Sequence, residues 1–279
     1  MDLRHIVAAS DESEAGRQAV RAAVELAART GARVTVMRAV PAPRAVMAGM
    51  PPVESAADEA DTSSVERLQY WVEADLRSHA DAPAVSFAVT YGLPGVEISR
   101  FAEREGADLL VLGRKPRSLK ARLVVGDTAD AVARRCLVPC LFVPGAGTLP
   151  RRLLVAVDGS DRGRAVLAEA KDFAGQIGAD PHVVTVEPPR PLEPANLAAA
   201  VPTARSVQLG AQVRTALGRE LEVRRGNVVE QILATVDQRR PDVLVIGCHR
   251  GGPAGIIDAG STARRLAHTA PCAILTVPL

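Results

Sequence analysis

The chain is short of cysteine, of net charge and of long apolar runs, and each shortage removes a class of function. Cys136, Cys140, Cys248 and Cys272 are few for 279 residues and form no CxxC pair. A disulfide scaffold is therefore excluded, and reduced thiols in a cytoplasmic protein are expected. Cys136 and Cys140 stand four apart, which sets two ligands on one helix face, but no His or Cys pair stands near them to complete a tetrahedral site. No metal site is expected. Lys and Arg number 34 against 32 Asp and Glu, a net charge of +2. That balance argues against a dedicated nucleic-acid surface. No apolar run approaches the ~18 residues of a membrane helix, so no membrane span is expected. The N-terminus enters a strand pattern at once, so a signal peptide is not expected either. The five histidines are scattered without an HxxxH. GxxxxGK(S/T), GxSxG and HExxH are all missing, and no catalytic residue is assigned.

What is present is present twice. Ile6–Ser13 reads IVAASDES and Leu153–Ser160 reads LLVAVDGS; Asp108–Gly113 reads DLLVLG and Asp242–Gly247 reads DVLVIG. Gly126 and Gly260 each follow 13 residues after the glycine of that second motif. The same shift of 134 residues relates Val143 to Val277 and Pro144 to Pro278, so the last third of each copy aligns without a gap. A repeat of this size is a duplicated domain rather than a solenoid unit. Two domains of ordinary size follow, residues 1–145 and 151–279, joined by a linker at Gly145–Pro150. So short a linker keeps the two together.

Within each copy, short β-branched runs alternate with amphipathic stretches. In the first copy, strands are expected at Leu3–Ala9, Arg33–Val40, Val85–Thr90, Asp108–Leu112 and Cys140–Val143. Helices are expected at Ser13–Thr30, Thr62–His79, Pro94–Glu105 and Thr128–Arg135, with Pro41–Asp61 as a loop. The second copy repeats the order, with strands near Leu153–Val157, Val183–Val186, Glu220–Arg224, Val243–Ile246 and Ala273–Val277. Its helices fall near Ser160–Ile177, Thr203–Leu217, Val228–Arg239 and Ser261–His268. Nearly continuous apolar strands between helices imply an α/β fold with a parallel sheet buried on both faces.

Open parallel sheets bind ligands where strand C-termini meet helix N-termini. Asp11 and Asp158 end the first strands, and Gly113 and Gly247 end the fourth. Gly260-Ser261-Thr262 opens the last helix of the second copy, as Gly126-Asp127-Thr128 does in the first. Backbone N–H groups, hydroxyls and the positive helix end together suit a phosphate. A simple helix cap is the plainer role for Ser261 or Thr262 taken alone. Joined to the aspartate and to Gly247, the phosphate reading is preferred. Asp158 holds either ligand hydroxyls, loop amides or a metal ion, in that context the first two before the third. Tyr70-Trp71 reads as packing on an amphipathic helix before it reads as an interaction hot spot.

In these motifs the chain resembles the universal stress protein family in its tandem form. The resemblance spans essentially the whole chain and rests on the VAVDGS start, Gly92-Leu93-Pro94, the D-hydrophobic-G strand and the ending Pro271–Pro278. It implies a five-stranded parallel sheet of order 3-2-1-4-5 in each domain, flanked by helices, of the adenine nucleotide alpha hydrolase-like type. It also implies pairing of the domains through Leu141–Val143 and Leu275–Val277 as an internal pseudo-dimer, with a homodimer or a regulatory protein partner open. The ligand it implies is ATP or AMP, with or without Mg, and hydrolysis is slow at most. The family's nucleotide-binding branch carries G-x2-G-x9-G-(S/T), whose outer spacing Gly113/Gly126 and Gly247/Gly260 share. By that match the binding residues are Asp158, Gly247, Gly260, Ser261 and Thr262, with Val186 as an adenine neighbour.

The departures separate the copies. In the second, the middle glycine is replaced by Arg250, which adds a phosphate contact, and Gly251 restores the turn. In the first, Pro116 deletes an N–H donor and Asp127 sets a carboxylate where Ser261 stands. Arg114, Lys115, Arg117, Lys120 and Arg122 crowd the same loop, either as a solvated basic loop or as an anion contact. Asp11, Gly113, Gly126 and Thr128 are accordingly the weaker site. The expectation is adenine-nucleotide binding with a regulatory role in stress response, mainly in the second domain. Its rival is an interaction module without nucleotide.

Overall fold

Each apolar run predicted as a strand becomes one, and within each unit the runs pair in parallel. The computed structural model describes residues 1–41, 54–76, 83–114, 127–145, 150–188, 202–248 and 261–279. Two units divide the chain, Leu3–Leu149 and Pro150–Leu279, the latter together with Met1–Asp2. In the first unit the described elements are β1 (His5–Ala9), α1 (Glu14–Thr30), β2 (Arg33–Val40), α2 (Glu54–Leu76), β3 (Val85–Tyr91), α3 (Pro94–Arg104), β4 (Leu109–Arg114), α4 (Asp127–Ala133) and β5 (Cys140–Pro144). The second unit has β6 (Arg152–Ala156), α5 (Asp161–Ile177), β7 (Asp180–Glu187), α6 (Ala204–Leu217), β8 (Leu221–Arg225), α7 (Val228–Arg239), β9 (Val243–Cys248), α8 (Ser261–Thr269) and β10 (Ala273–Pro278).

Parallel pairing gives the order β3-β2-β1-β4-β5 in the first unit. In the second it gives β8-β7-β6-β9-β10. Both are the 3-2-1-4-5 order, with the switch between the first and fourth strands of each copy. The central strands are buried over their first four residues: Leu109, Leu110 and Val111 in β4, and Val243, Leu244 and Val245 in β9, expose 1% or less. That is why they read as continuous apolar runs rather than as alternating ones.

The helix ends follow local chemistry. The Ser13 hydroxyl accepts from the Gly16 N–H at the start of α1, and Ser160 does the same for Gly163 at α5. Gly31 and Gly178 close these helices at φ of 74° and 65°, a left-handed conformation that glycine adopts without strain. The motif aspartates fix the sheet as well. Asp108 Oδ2 accepts from the Arg4 and His5 N–H groups at 2.9 Å, and Asp242 Oδ2 accepts from Arg151 and Arg152 at 2.9 Å. Each carboxylate thereby ties the entry of its fourth strand to the entry of its first.

The last eight residues of one expected loop are helical, and residues 42–53 of it lie outside the described residues. Helix α2 begins at Glu54, eight residues ahead of Thr62. The segment Glu54–Asp61 is rich in Ala, Glu and Asp and has no apolar period, so periodicity is blind to it. Helix propensity and acidic residues at the positive helix end favour it all the same. Farther along α2, Trp71 lies under the Arg17 guanidinium at 4.7 Å from the ring centroid, while Tyr70 is 69% exposed. Only the tryptophan of that pair is packing.

Candidate functional site

In the second unit, β6 stops at Ala156 opposite Val184, and the Val157 N–H reaches the Val184 carbonyl at 3.1 Å. The next residue is Asp158. Its Oδ1 accepts from the Ser160 N–H at 3.0 Å and from the Ser160 hydroxyl at 2.6 Å. Ser160 in turn caps α5. Partial burial pushes the Asp158 carboxyl up, but the two Ser160 bonds and the charge of Arg205 outweigh it and hold the pKa below its ordinary value. Asp158 is therefore an anion at neutral pH, held in its turn by a loop amide and a hydroxyl.

A cavity of about 370 Å³ opens beside it, within the size range of small-molecule sites. Among its walls are Asp158, Val186, Gly247 and Thr262, four residues marked from sequence, and they lie on four different elements or turns. Its depth is apolar, formed by Val184, Ile232, Ile246 and Leu266. The cavity lies at the C-terminal ends of β6, β7 and β9, where the strand order switches. Successive residues of a strand present their backbone groups to opposite edges. Val184 faces β6, so Val186 also turns its N–H and C=O to that edge, beyond the point where β6 ends. Thr262, the second residue of α8, is half-buried at the positive end of its helix. The backbone of Ser261 opens α8. Arg250, Gly251 and Gly260 lie outside the described residues, as does His249.

Gly247 has a more particular role than a free turn. A Cβ built on it would stand 2.8 Å from Leu279 Cδ1 and 2.8 Å from Val166 Cγ2. The space that its missing side chain leaves is filled by the ends of two apolar side chains that also line the cavity.

The first unit treats the matching residues differently. Asp11 Oδ1 accepts from the Ser13 N–H at 3.1 Å and from the Ser13 hydroxyl, the same turn as in the second copy. Glu12, where the second copy has Gly159, takes φ of 61°. Its carboxylate pairs with Arg38 of β2 and, at 3.4 Å, with Arg67 of α2. A Cβ on Gly113 would stand 1.9 Å from the Ala15 carbonyl oxygen. The backbone of the first turn of α1 thus lies directly against β4. Thr128 is half-buried in the first turn of α4. Gly126, Pro116 and the basic residues Lys115 to Arg122 lie outside the described residues.

Sequence reasoning missed three side chains of the second unit. Arg162 and Leu279 line the cavity, and Arg205 of α6 flanks Asp158. Arg162 stands two residues past the motif that was read for its aspartate, and Arg205 carries no local signal because the fold brings it from the next helix. Glu187, just past Val186, anchors α6: its Oε1 accepts from the Thr203 N–H at 2.8 Å and the Ser206 hydroxyl at 2.5 Å, and Oε2 meets Arg225 at 3.1 Å. Burial alone would raise its carboxyl, but these partners pull it down to about 2. The cysteines offer no ligand cluster: Cys140 is on β5 rather than on a helix with Cys136, and burial pushes the Cys248 thiol up to about 12. Among the described residues no His, Cys, Asp or Glu group is placed to hold a metal ion, and no helix is long and apolar enough to cross a membrane.

Two tandem doubly wound α/β units, each with an aspartate turn at the switch in strand order, define the class of protein. The family model described as the universal stress protein family matches residues 2–144 and again 150–278, and the chain belongs to that family. Solved structures agree on the fold. A universal stress protein from Archaeoglobus fulgidus DSM 4304 is 18% identical with a TM-score of 0.73, covering 98% of each chain. A functionally unknown protein from Pseudomonas aeruginosa PAO1 is 18% identical with a TM-score of 0.67, covering 99% of this chain and 92% of its own. No curated protein sequence matches the chain.

Proposed function

We propose that the second unit binds an adenine nucleotide, ATP or AMP, and that the protein acts in stress response as a nucleotide-dependent regulator rather than as an enzyme. The observation that carries this reading is the cavity at the strand switch, which gathers Asp158, Val186, Gly247 and Thr262 around an apolar depth. A flat purine suits the apolar walls, with the backbone N–H and C=O of Val186 available to its polar edge. Ribose hydroxyls suit the Asp158 carboxylate. The phosphates suit the start of α8 with Ser261 and Thr262, helped by Gly260, Arg250 and Gly251. Among the described residues no side chain on these walls is a base poised beside a nucleophile, which favours binding over turnover.

In the first unit Asp11, Gly113, Gly126 and Thr128 form the weaker site. There the interaction-module reading has a specific observation behind it. The first turn of α1 occupies the space over Gly113, and Glu12 is held by two arginines. Denaturing the purified full-length chain and identifying any released nucleotide by mass spectrometry tests the proposal, followed by calorimetric titration of nucleotide-free protein with ATP and AMP. An adenine nucleotide at close to one per chain is expected. A nucleotide-free preparation that also binds neither ATP nor AMP removes the reading.

A further inference from the structure

A second opening, of about 750 Å³, adjoins the cavity of the second unit and shares Asp158 and Arg162 with it. It runs over the turn Gly159-Ser160 toward α6, and Arg205 and Gln208 form its far wall. Three arginines and two aspartates line it. Arg164 is neutralised by Asp161, its neighbour on α5. Arg205 is exposed, and among the described residues it makes no ion pair. Its stem lies across Gly159, where a built Cβ would come 3.2 Å from Arg205 Cγ. Gly159 has φ of 71°, so a side chain there would be strained as well as crowded.

The first copy shows the same place with its charge cancelled. Glu12 accepts the left-handed conformation that Gly159 has in the second copy, and spends its carboxylate on Arg38 and Arg67. The second copy carries no such acid, and its arginine faces the opening.

We propose that Arg205, with Arg162, forms an anion subsite on the Asp158 side of the cavity, and that the ligand is a nucleotide phosphorylated on its ribose 2′ or 3′ oxygen as well as at the 5′ position. The inference rests on the nucleotide reading above. The ribose hydroxyls are the groups an aspartate accepts from, and they lie on the sugar edge opposite the 5′ phosphate. A phosphate on that edge extends past Asp158 into the second opening. One hydroxyl remains for the carboxylate, while the 5′ phosphate keeps the start of α8.

The test is calorimetry on the full chain with adenosine 5′-monophosphate and with the 2′,5′- and 3′,5′-bisphosphates of adenosine. One bisphosphate is expected to bind about tenfold tighter than the monophosphate, as one added charge-assisted contact implies. Arg205→Gln should erase that margin, weakening the bisphosphate about tenfold and the monophosphate clearly less, and Arg205→Lys should keep part of the margin. Equal binding of monophosphate and bisphosphates overturns the inference and leaves the nucleotide reading standing. A margin that survives Arg205→Gln, or a monophosphate weakened as much as the bisphosphates, overturns it too. Failure of all three nucleotides to bind overturns it, and removes the nucleotide reading as well where ATP also fails to bind.

Discussion

At the ends of their first and fourth strands the two units carry the same residue types in different company. Gly113 has a helix backbone against it, with the Ala15 oxygen 1.9 Å from where a Cβ would sit. Gly247 has the tips of Leu279 and Val166 against it, at 2.8 Å. Backbone cannot retreat without moving α1, whereas side-chain tips can rotate. The turn after the first strand differs in the same sense: Glu12 is bound to two arginines, while Gly159 is bare beneath Arg205. A motif glycine therefore reports that something approaches closely, and its surroundings decide whether that something is the chain itself or leaves room for a ligand.

The largest expected break in this comparison is structural. Gly113→Ala should destabilise the first unit by about 3 kcal/mol or more, because the added carbon must displace α1. Gly247→Ala should cost well under that, since Leu279 and Val166 can give way. Urea denaturation of both variants measures the difference, and equal losses would erase the distinction drawn between the two glycines.

Acid should separate the units next. Glu187 and Glu222 of the second unit are both held near a pKa of about 2 against an ordinary 4.5. For each, burial acts upward and is outweighed, in Glu187 by Ser206, Thr203 and Arg225, and in Glu222 by Arg224, His182 and Arg239. A lowered folded-state pKa means stability that is complete above about 4.5 and lost as pH falls toward about 2. Glu187→Gln should cost roughly 1–3 kcal/mol at pH 7 and flatten that acid limb. Thermal melts from pH 7 to pH 2 check both parts.

Ligand binding sharpens the contrast further. Gly260→Val should weaken ATP binding about tenfold or more, whereas Gly126→Val should leave it unchanged if the working site is in the second unit. Ser261→Ala falls between them, removing one hydrogen bond worth roughly 0.5–1.5 kcal/mol, or more if it is made to a charged phosphate. Calorimetry on the three variants ranks them. ATP affinity that survives Gly260→Val would show that the phosphate cradle is misplaced.

The parallel sheets were legible because buried strands are uniform apolar runs and because the duplication marks each element twice. Helix α7 matches its expected bounds, Val228–Arg239, since Asn227 is a strong cap and the apolar period is regular. The start of α2 was not legible, because alanine and acidic residues carry propensity without period. Of the residues lining the cavity, Asp158, Gly247 and Thr262 were marked from motif and spacing, and Val186 through the family resemblance. Arg205 and Leu279 were not, since only the folded chain brings a helix-α6 side chain and the last residue of the sequence beside the strand switch. The close approach of α1 to Gly113 was also hidden. Pro116 and Asp127 pointed to a weaker site there, but the contact between Gly113 and Ala15 depends on helix placement that no local pattern encodes.

The turn at Asp158 has a consequence for any ligand that meets it. The bonds to Ser160 both go to Oδ1, and the same serine caps α5, so the carboxylate is clamped by the structure that starts the helix. A ligand hydroxyl that approaches Oδ2 finds a side chain whose rotamer is already chosen. The ordering cost of roughly 0.5–1.5 kcal/mol that a mobile side chain pays on association has been met during folding. Under the proposed function the strand-end aspartate would meet its ligand already ordered: its entropy was surrendered to the helix cap, and recognition would inherit the result.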